Sequence, residues 1–108
     1  MWVRLRIYLG EADRHQGKPA YMYILELLRR EGLLGATVLR GIAGFGSKSI
    51  IHFPGILRLS EDLPIVIEVV DEEEKIRKVL PKIQEIVKEG LITLEKLEEV
   101  IVRRPNMR

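Results

Sequence analysis

The segment most able to do chemistry is Gly41-Ile42-Ala43-Gly44-Phe45-Gly46-Ser47-Lys48-Ser49, with Arg40 directly before it. Its glycines let backbone approach a ligand closely, and successive N–H groups in such a loop form an anion-binding nest. Lys48 and Arg40 add positive charge, and Ser47 and Ser49 add hydroxyl donors. The plain alternative is a hairpin tip. Gly41 and Gly46 have the spacing of a phosphate-binding P-loop, but Ser47 stands where lysine should follow Gly46. That loop also needs a helix after it, whose amino end holds phosphate. Ile50-Ile51-His52-Phe53 reads as extended chain, so an ATPase loop is rejected.

Other candidates are weaker. An RNA-recognition strand interleaves aromatics with glycine so that bases stack. Arg40-Gly41-Ile42-Ala43-Gly44-Phe45-Gly46 has Ile42 where the stacking ring belongs, and aromatic content is 6%. His15 and His52 lie 37 positions apart, and lone surface histidines are commoner than a two-histidine metal site, so no metal is assigned. Glu11 and Asp13 follow the first strand without a recognisable base–orienter partner. Cysteine is absent, which removes disulfides, thiolate ligands and thiol nucleophiles. The expectation is a binding protein, not an enzyme.

The elements that position these groups follow from hydrophobic period. Val3, Leu5, Ile7 and Leu9 alternate with Trp2, Arg4, Arg6 and Tyr8, as in a half-buried strand. Pro19 suits the start of a helix, because its missing N–H would be unpaired there. Ala20, Ile24, Leu27 and Leu28 recur at helical spacing, and Gly32 suits the position just past the helix end. Gly35–Ile42 has the composition of a buried strand. Extended chain is expected around Ile50–Phe53 and Ile56–Leu59, and Leu63–Val70 is the strongest strand. Asp71 is placed to cap a second helix rich in early carboxylates, with Ile76, Val79, Leu80, Ile83 and Ile86 or Val87 as its stripe and Pro81 inside it as a kink. Gly90 ends that helix, and Val100-Ile101-Val102-Arg103 reads as the closing strand.

The order β-α-β-β-α-β predicts a single α+β domain over 1–108: a ferredoxin-like sandwich, with an antiparallel sheet carrying two helices on one face. Arg4, Arg6 and Glu68 then occupy the other face. They are either solvated or part of an oligomer interface in which Arg4 or Arg6 pairs with Glu68, within or across subunits. A chain of 108 residues buries a limited core, so an interface would add stability. Net charge is +2, with 18 basic and 16 acidic residues, too balanced for charge-driven nucleic-acid binding. No apolar run approaches a membrane span, and the alternating amino terminus lacks a signal peptide's apolar stretch, so a cytoplasmic location is expected.

Long motifs carry a family resemblance. Arg6-Ile7-Tyr8-Leu9-Gly10-Glu11, then Asp13 and Gly17-Lys18-Pro19, resemble the opening of the PII-like proteins called domain of unknown function 190. Gly35–Gly46, Leu59-Ser60 with Asp62-Leu63-Pro64, and Glu89-Gly90-Leu91-Ile92-Thr93 continue the match. The resemblance implies a homotrimer with sheets inward, and a nucleotide-binding, signalling role without catalysis. It further implies an anionic ligand, an adenine nucleotide first among them, held at intersubunit clefts as an effector, not a cofactor. Site residues carried over are Arg40, Gly41, Gly44, Phe45, Gly46, Ser47, Lys48 and Arg103, and Arg104 also lies among the carboxyl-terminal arginines. PII proteins commonly present the loop after this segment to a membrane transporter or an enzyme. They also carry a basic, glycine-rich, phosphate-gripping loop before the last strand, where Glu89–Glu95 here is apolar and acidic. The alternatives are a partner-docking or structural trimer without nucleotide, and a metal-binding trimer resting on the histidines.

Overall fold

The computed structural model describes residues 1–45 and 62–105. Strand β1 spans Trp2–Gly10, and a two-residue turn joins the short strands β2 (Arg14–His15) and β3 (Lys18–Pro19). Helix α1 (Ala20–Arg30), β4 (Thr37–Arg40), β5 (Pro64–Glu72), α2 (Glu73–Ile86) and β6 (Leu91–Lys96) follow. The main sheet has the order β4-β5-β1-β6 with every pair antiparallel. This is the ferredoxin-like α+β arrangement predicted from the element order.

Alternation sets which face is covered. Val3, Leu5, Ile7 and Leu9 of β1 and Ile65, Ile67 and Val69 of β5 are buried, and Ile24, Leu27, Leu28, Ile76, Val79, Ile83 and Ile86 of the helices join them in one core. Both helices therefore cover the same sheet face. Helix α1 ends as its sequence predicts: Gly32 has φ +83°, Leu33 N–H donates to Leu28 O, and Gly32 N–H donates to Arg29 O. These paired bonds satisfy carbonyls that the last turn would otherwise leave open.

Three sequence expectations need correction. The closing strand is Leu91–Lys96, with Leu5 opposite Leu94 and Ile7 opposite Ile92, while residues 100–103 lie outside any strand. The run Val100–Arg103 has strand composition, but Ile92 and Leu94 pack against the core, whereas Ile101 is 74% exposed. Gly35–Ile42 is not a buried strand: only Thr37–Arg40 pairs, at the sheet edge, and Leu39 is half exposed. Asp71 does not cap α2. It is the penultimate residue of β5, fully buried, accepting from Leu34 N–H at 2.8 Å and Glu72 N–H at 2.7 Å, and Glu72 is the residue before the helix. Helix α2 runs from Glu73 to Ile86 with Pro81 inside it. The extended segments expected around 50–53 and 56–59, with His52, lie outside the described residues.

Candidate functional site

The site residues divide between two faces and two ends of the sheet. Arg40 pairs in register with Ile65, and Ile65 with Leu9, which puts it on the helix-bearing face at one corner. Gly41 N–H donates to Pro64 O at 2.7 Å, carrying the β4–β5 ladder one step further. On the other side of β5, Glu11 N–H donates to Leu63 O at 2.9 Å. These two bonds bring the ends of β1 and β4 to adjacent carbonyls, and the Arg40 guanidinium meets the Glu11 carboxylate there.

The glycines at this corner have a packing reason. A Cβ on Gly41 would stand 2.7 Å from Pro64 Cγ, and one on Gly44 would stand 3.2 Å from it. The backbone from Gly41 to Gly44 thus lies against the proline ring, an approach that only glycine allows at Gly41. Ile42 and Phe45 point outward, 79% and 74% exposed. Gly46, Ser47 and Lys48 lie outside the described residues.

Carboxylates, not cations, organise the neighbouring turn. Gly10 N–H donates to Asp13 Oδ2 at 3.0 Å and Ala12 N–H to Asp62 Oδ1 at 2.9 Å. By sequence alone, Glu11 and Asp13 have no recognisable partner. Asp13 caps its own turn through a contact only three residues away, whereas Glu11 meets Arg40, 29 residues on, at a corner fixed by its backbone bond to Leu63 O.

Arg103 follows β6, and β6 ends away from this corner. Strand β6 runs antiparallel to β1, with Lys96 opposite Val3, so the chain leaves β6 at the Trp2 end, and Leu97 N–H donates to Trp2 O at 3.0 Å. The loop between α2 and β6 is shorter than the segment Glu89–Glu95. It comprises only residues 87–90, because Leu91–Glu95 is strand.

The open face of the sheet has an ordered chemistry of its own. Register aligns Leu39, Val66, Tyr8 and Leu91 in one apolar row across all four strands. The next row is Thr37, Glu68, Arg6 and Thr93, and the one after contains Val70, Arg4 and Glu95. Arg6 Nε donates to Glu68 Oε2 at 2.9 Å, and Arg4 Nη2 to Glu95 Oε1 at 2.8 Å. The hydrogen bond to Glu68 raises the Arg6 pKa, and that from Arg4 lowers the Glu95 carboxyl. Arg4, Arg6 and Glu68 are thus on one face as predicted, and the Arg6–Glu68 pair forms within the chain.

His15 stacks edge-on against Tyr23, and no cluster of three metal-ligating side chains occurs among the described residues. No helix among them is long and apolar enough to cross a membrane.

Residues 2–99 match the model of DUF190, described as "Uncharacterized ACR, COG1993". The chain belongs to this family. Among curated relatives, a UPF0166 protein of Methanocaldococcus jannaschii is 48% identical over 91 residues, covering 83% of each chain. A UPF0166 protein of Aquifex aeolicus is 45% identical over 96 residues, covering 89% of this chain and 90% of the relative. Two solved structures of CPII from Thiomonas intermedia K12 share the fold of this DUF190 chain. The structure described as bound to ADP and bicarbonate superposes with a TM-score of 0.62 at 24% identity, and covers 87% of this chain and 83% of its own. The second, described as a nitrogen regulatory PII-like protein bound to ADP, AMP and bicarbonate, gives 0.65 at 22% identity with the same coverage. The DUF190 chain therefore has a PII-like ferredoxin fold.

Proposed function

We propose that this DUF190 protein is a non-catalytic, PII-like regulator that binds an adenine nucleotide at the clefts between subunits of a homotrimer. The observation that carries this reading is the corner where Gly41 and Gly44 lie against Pro64 beside Arg40, in a fold shared with CPII, which is described as binding ADP. Backbone amides of Gly44, Phe45 and Gly46 would meet the phosphates, with Ser47 as a hydroxyl donor and Arg40 and Lys48 as the charges. Arg103 leaves its own sheet at the far end, so its contribution would be to a neighbouring subunit's cleft.

The trimer contact in this reading is the open sheet face. Its apolar row supplies the hydrophobic contact, and Arg4 and Arg6 are already neutralised by Glu95 and Glu68. Burial of satisfied pairs costs less than burial of lone charges.

The test is a thermal-shift and calorimetric screen with ATP, ADP, AMP, cyclic nucleotides, bicarbonate and divalent metals, alongside measurement of mass in solution. Selective stabilisation by one adenine nucleotide, reduced in a folded Arg40→Gln variant, is the expected result. A flat response to every nucleotide from folded, ligand-free protein overturns it. A second reading, a trimer that docks a protein partner such as a transporter or an enzyme, is favoured by the outward Ile42 and Phe45 side chains beside the glycine-rich segment. A shift with divalent metal alone would favour the metal-binding alternative.

A further inference from the structure

Arg40 does not wait at its corner as a bare cation. Its Nη2 donates to Glu11 Oε2, and the Glu11 side chain is 28% exposed against 57% for Arg40. The carboxylate is therefore the better-covered partner, with the guanidinium lying over it toward solvent. Backbone holds both strand ends: Glu11 N–H donates to Leu63 O, and Arg40 pairs with Ile65 while the next residue's N–H, that of Gly41, donates to Pro64 O. The pair is thus built into the sheet corner rather than made by two free surface side chains.

Resting on the nucleotide reading above, we propose that Glu11 is a specificity-determining residue of that site, a resident counter-ion with which a ligand's phosphate must compete for Arg40. The contact to Oε2 occupies one of the five N–H donors of the guanidinium, leaving a fork that can take a phosphate oxygen. An incoming oxyanion gains Arg40 only by loosening the Glu11 contact or by sharing the cation beside a like charge. A multiply charged phosphate outcompetes one carboxylate. A neutral ligand gains nothing from the exchange. Glu11 would therefore lower affinity for every phosphate by a similar factor, because the same pair must be opened each time, and so set the balance between phosphate-bearing and neutral ligands.

The experiment is isothermal titration of wild type, Glu11→Gln and Glu11→Ala with ADP, pyrophosphate and adenosine, with circular dichroism to check that each variant is folded. Removing the carboxylate should tighten ADP and pyrophosphate by about twofold to fivefold, the range open to an exposed ion pair, and leave adenosine unchanged. Unchanged or weaker ADP binding in both folded variants overturns the role of Glu11 while leaving the nucleotide reading intact. Tighter pyrophosphate without ADP binding supports Glu11 and overturns the adenine reading. If neither phosphate binds any variant, both fall.

Discussion

Arg6 and Glu68 occupy directly opposed positions on β1 and β5, and their side chains bond at 2.9 Å on the face that carries no helix. The pair closes within one chain, so this face presents no lone charge at its centre to a second copy. One row away lie Leu39, Val66, Tyr8 and Leu91, with Leu39 and Leu91 50% and 58% exposed. An apolar row beside self-paired charges is a surface that can be desolvated as a unit.

The double variant Leu39→Glu/Leu91→Glu should therefore dissociate the proposed homotrimer into folded 12.5 kDa chains, as read by sedimentation. Glu68→Gln should weaken assembly more than it weakens the isolated chain. At the surface such a pair is worth about 0–1 kcal/mol, whereas stranding Arg6 in a buried interface costs about 3–5 kcal/mol. Unchanged mass and melting temperature in both variants would rule this face out as the contact.

Gly90 lies against β1 so closely that a Cβ there would stand 2.2 Å from Tyr8 O. Gly90→Ala should destabilise the fold by about 2–3 kcal/mol in urea titration, since neither backbone can yield without breaking the β1–β6 ladder. Gly35→Ala, where nothing lies within 4 Å of the added atom, should stay within about 0.5 kcal/mol.

Asp71 ties the connection after α1 to the end of β5 through Leu34 N–H. Asp71→Ala removes the buried carboxylate that accepts from both the Leu34 and the Glu72 amides, two part-buried bonds. A loss of about 1–3 kcal/mol is expected by chemical denaturation, the cost of leaving a buried donor unsatisfied. Faster amide exchange at Leu34 should accompany it.

Hydrogen bonds from Arg4 and Lys82 hold the Glu95 and Glu31 carboxyls below their ordinary value of 4.5. Their contribution to stability is therefore present above that value and is lost as pH falls through the lowered folded values. A Glu31→Gln/Glu95→Gln variant should show a shallower loss of melting temperature below pH 4.5 than wild type. Identical acid profiles would remove these two pairs from the account.

The sequence by itself determined the alternating strand Val3–Leu9, the two amphipathic helices, the β-α-β-β-α-β order and the family, because period and motif are local properties. Tertiary structure decided which of two strand-like carboxyl-terminal runs closes the sheet. Val100–Arg103 and Leu91–Lys96 both have strand composition, and only the second reaches β1 in a register that turns Ile92 and Leu94 toward the core. Register also decided that Arg40 lies on the helix-bearing face while Arg6 and Glu68 lie on the open one, and that Arg103 leaves at the opposite end. The pairing of Glu11 with Arg40 was illegible for the same reason. It depends on two backbone bonds to Leu63 and Pro64, and such long-range bonds are fixed only once the sheet has assembled.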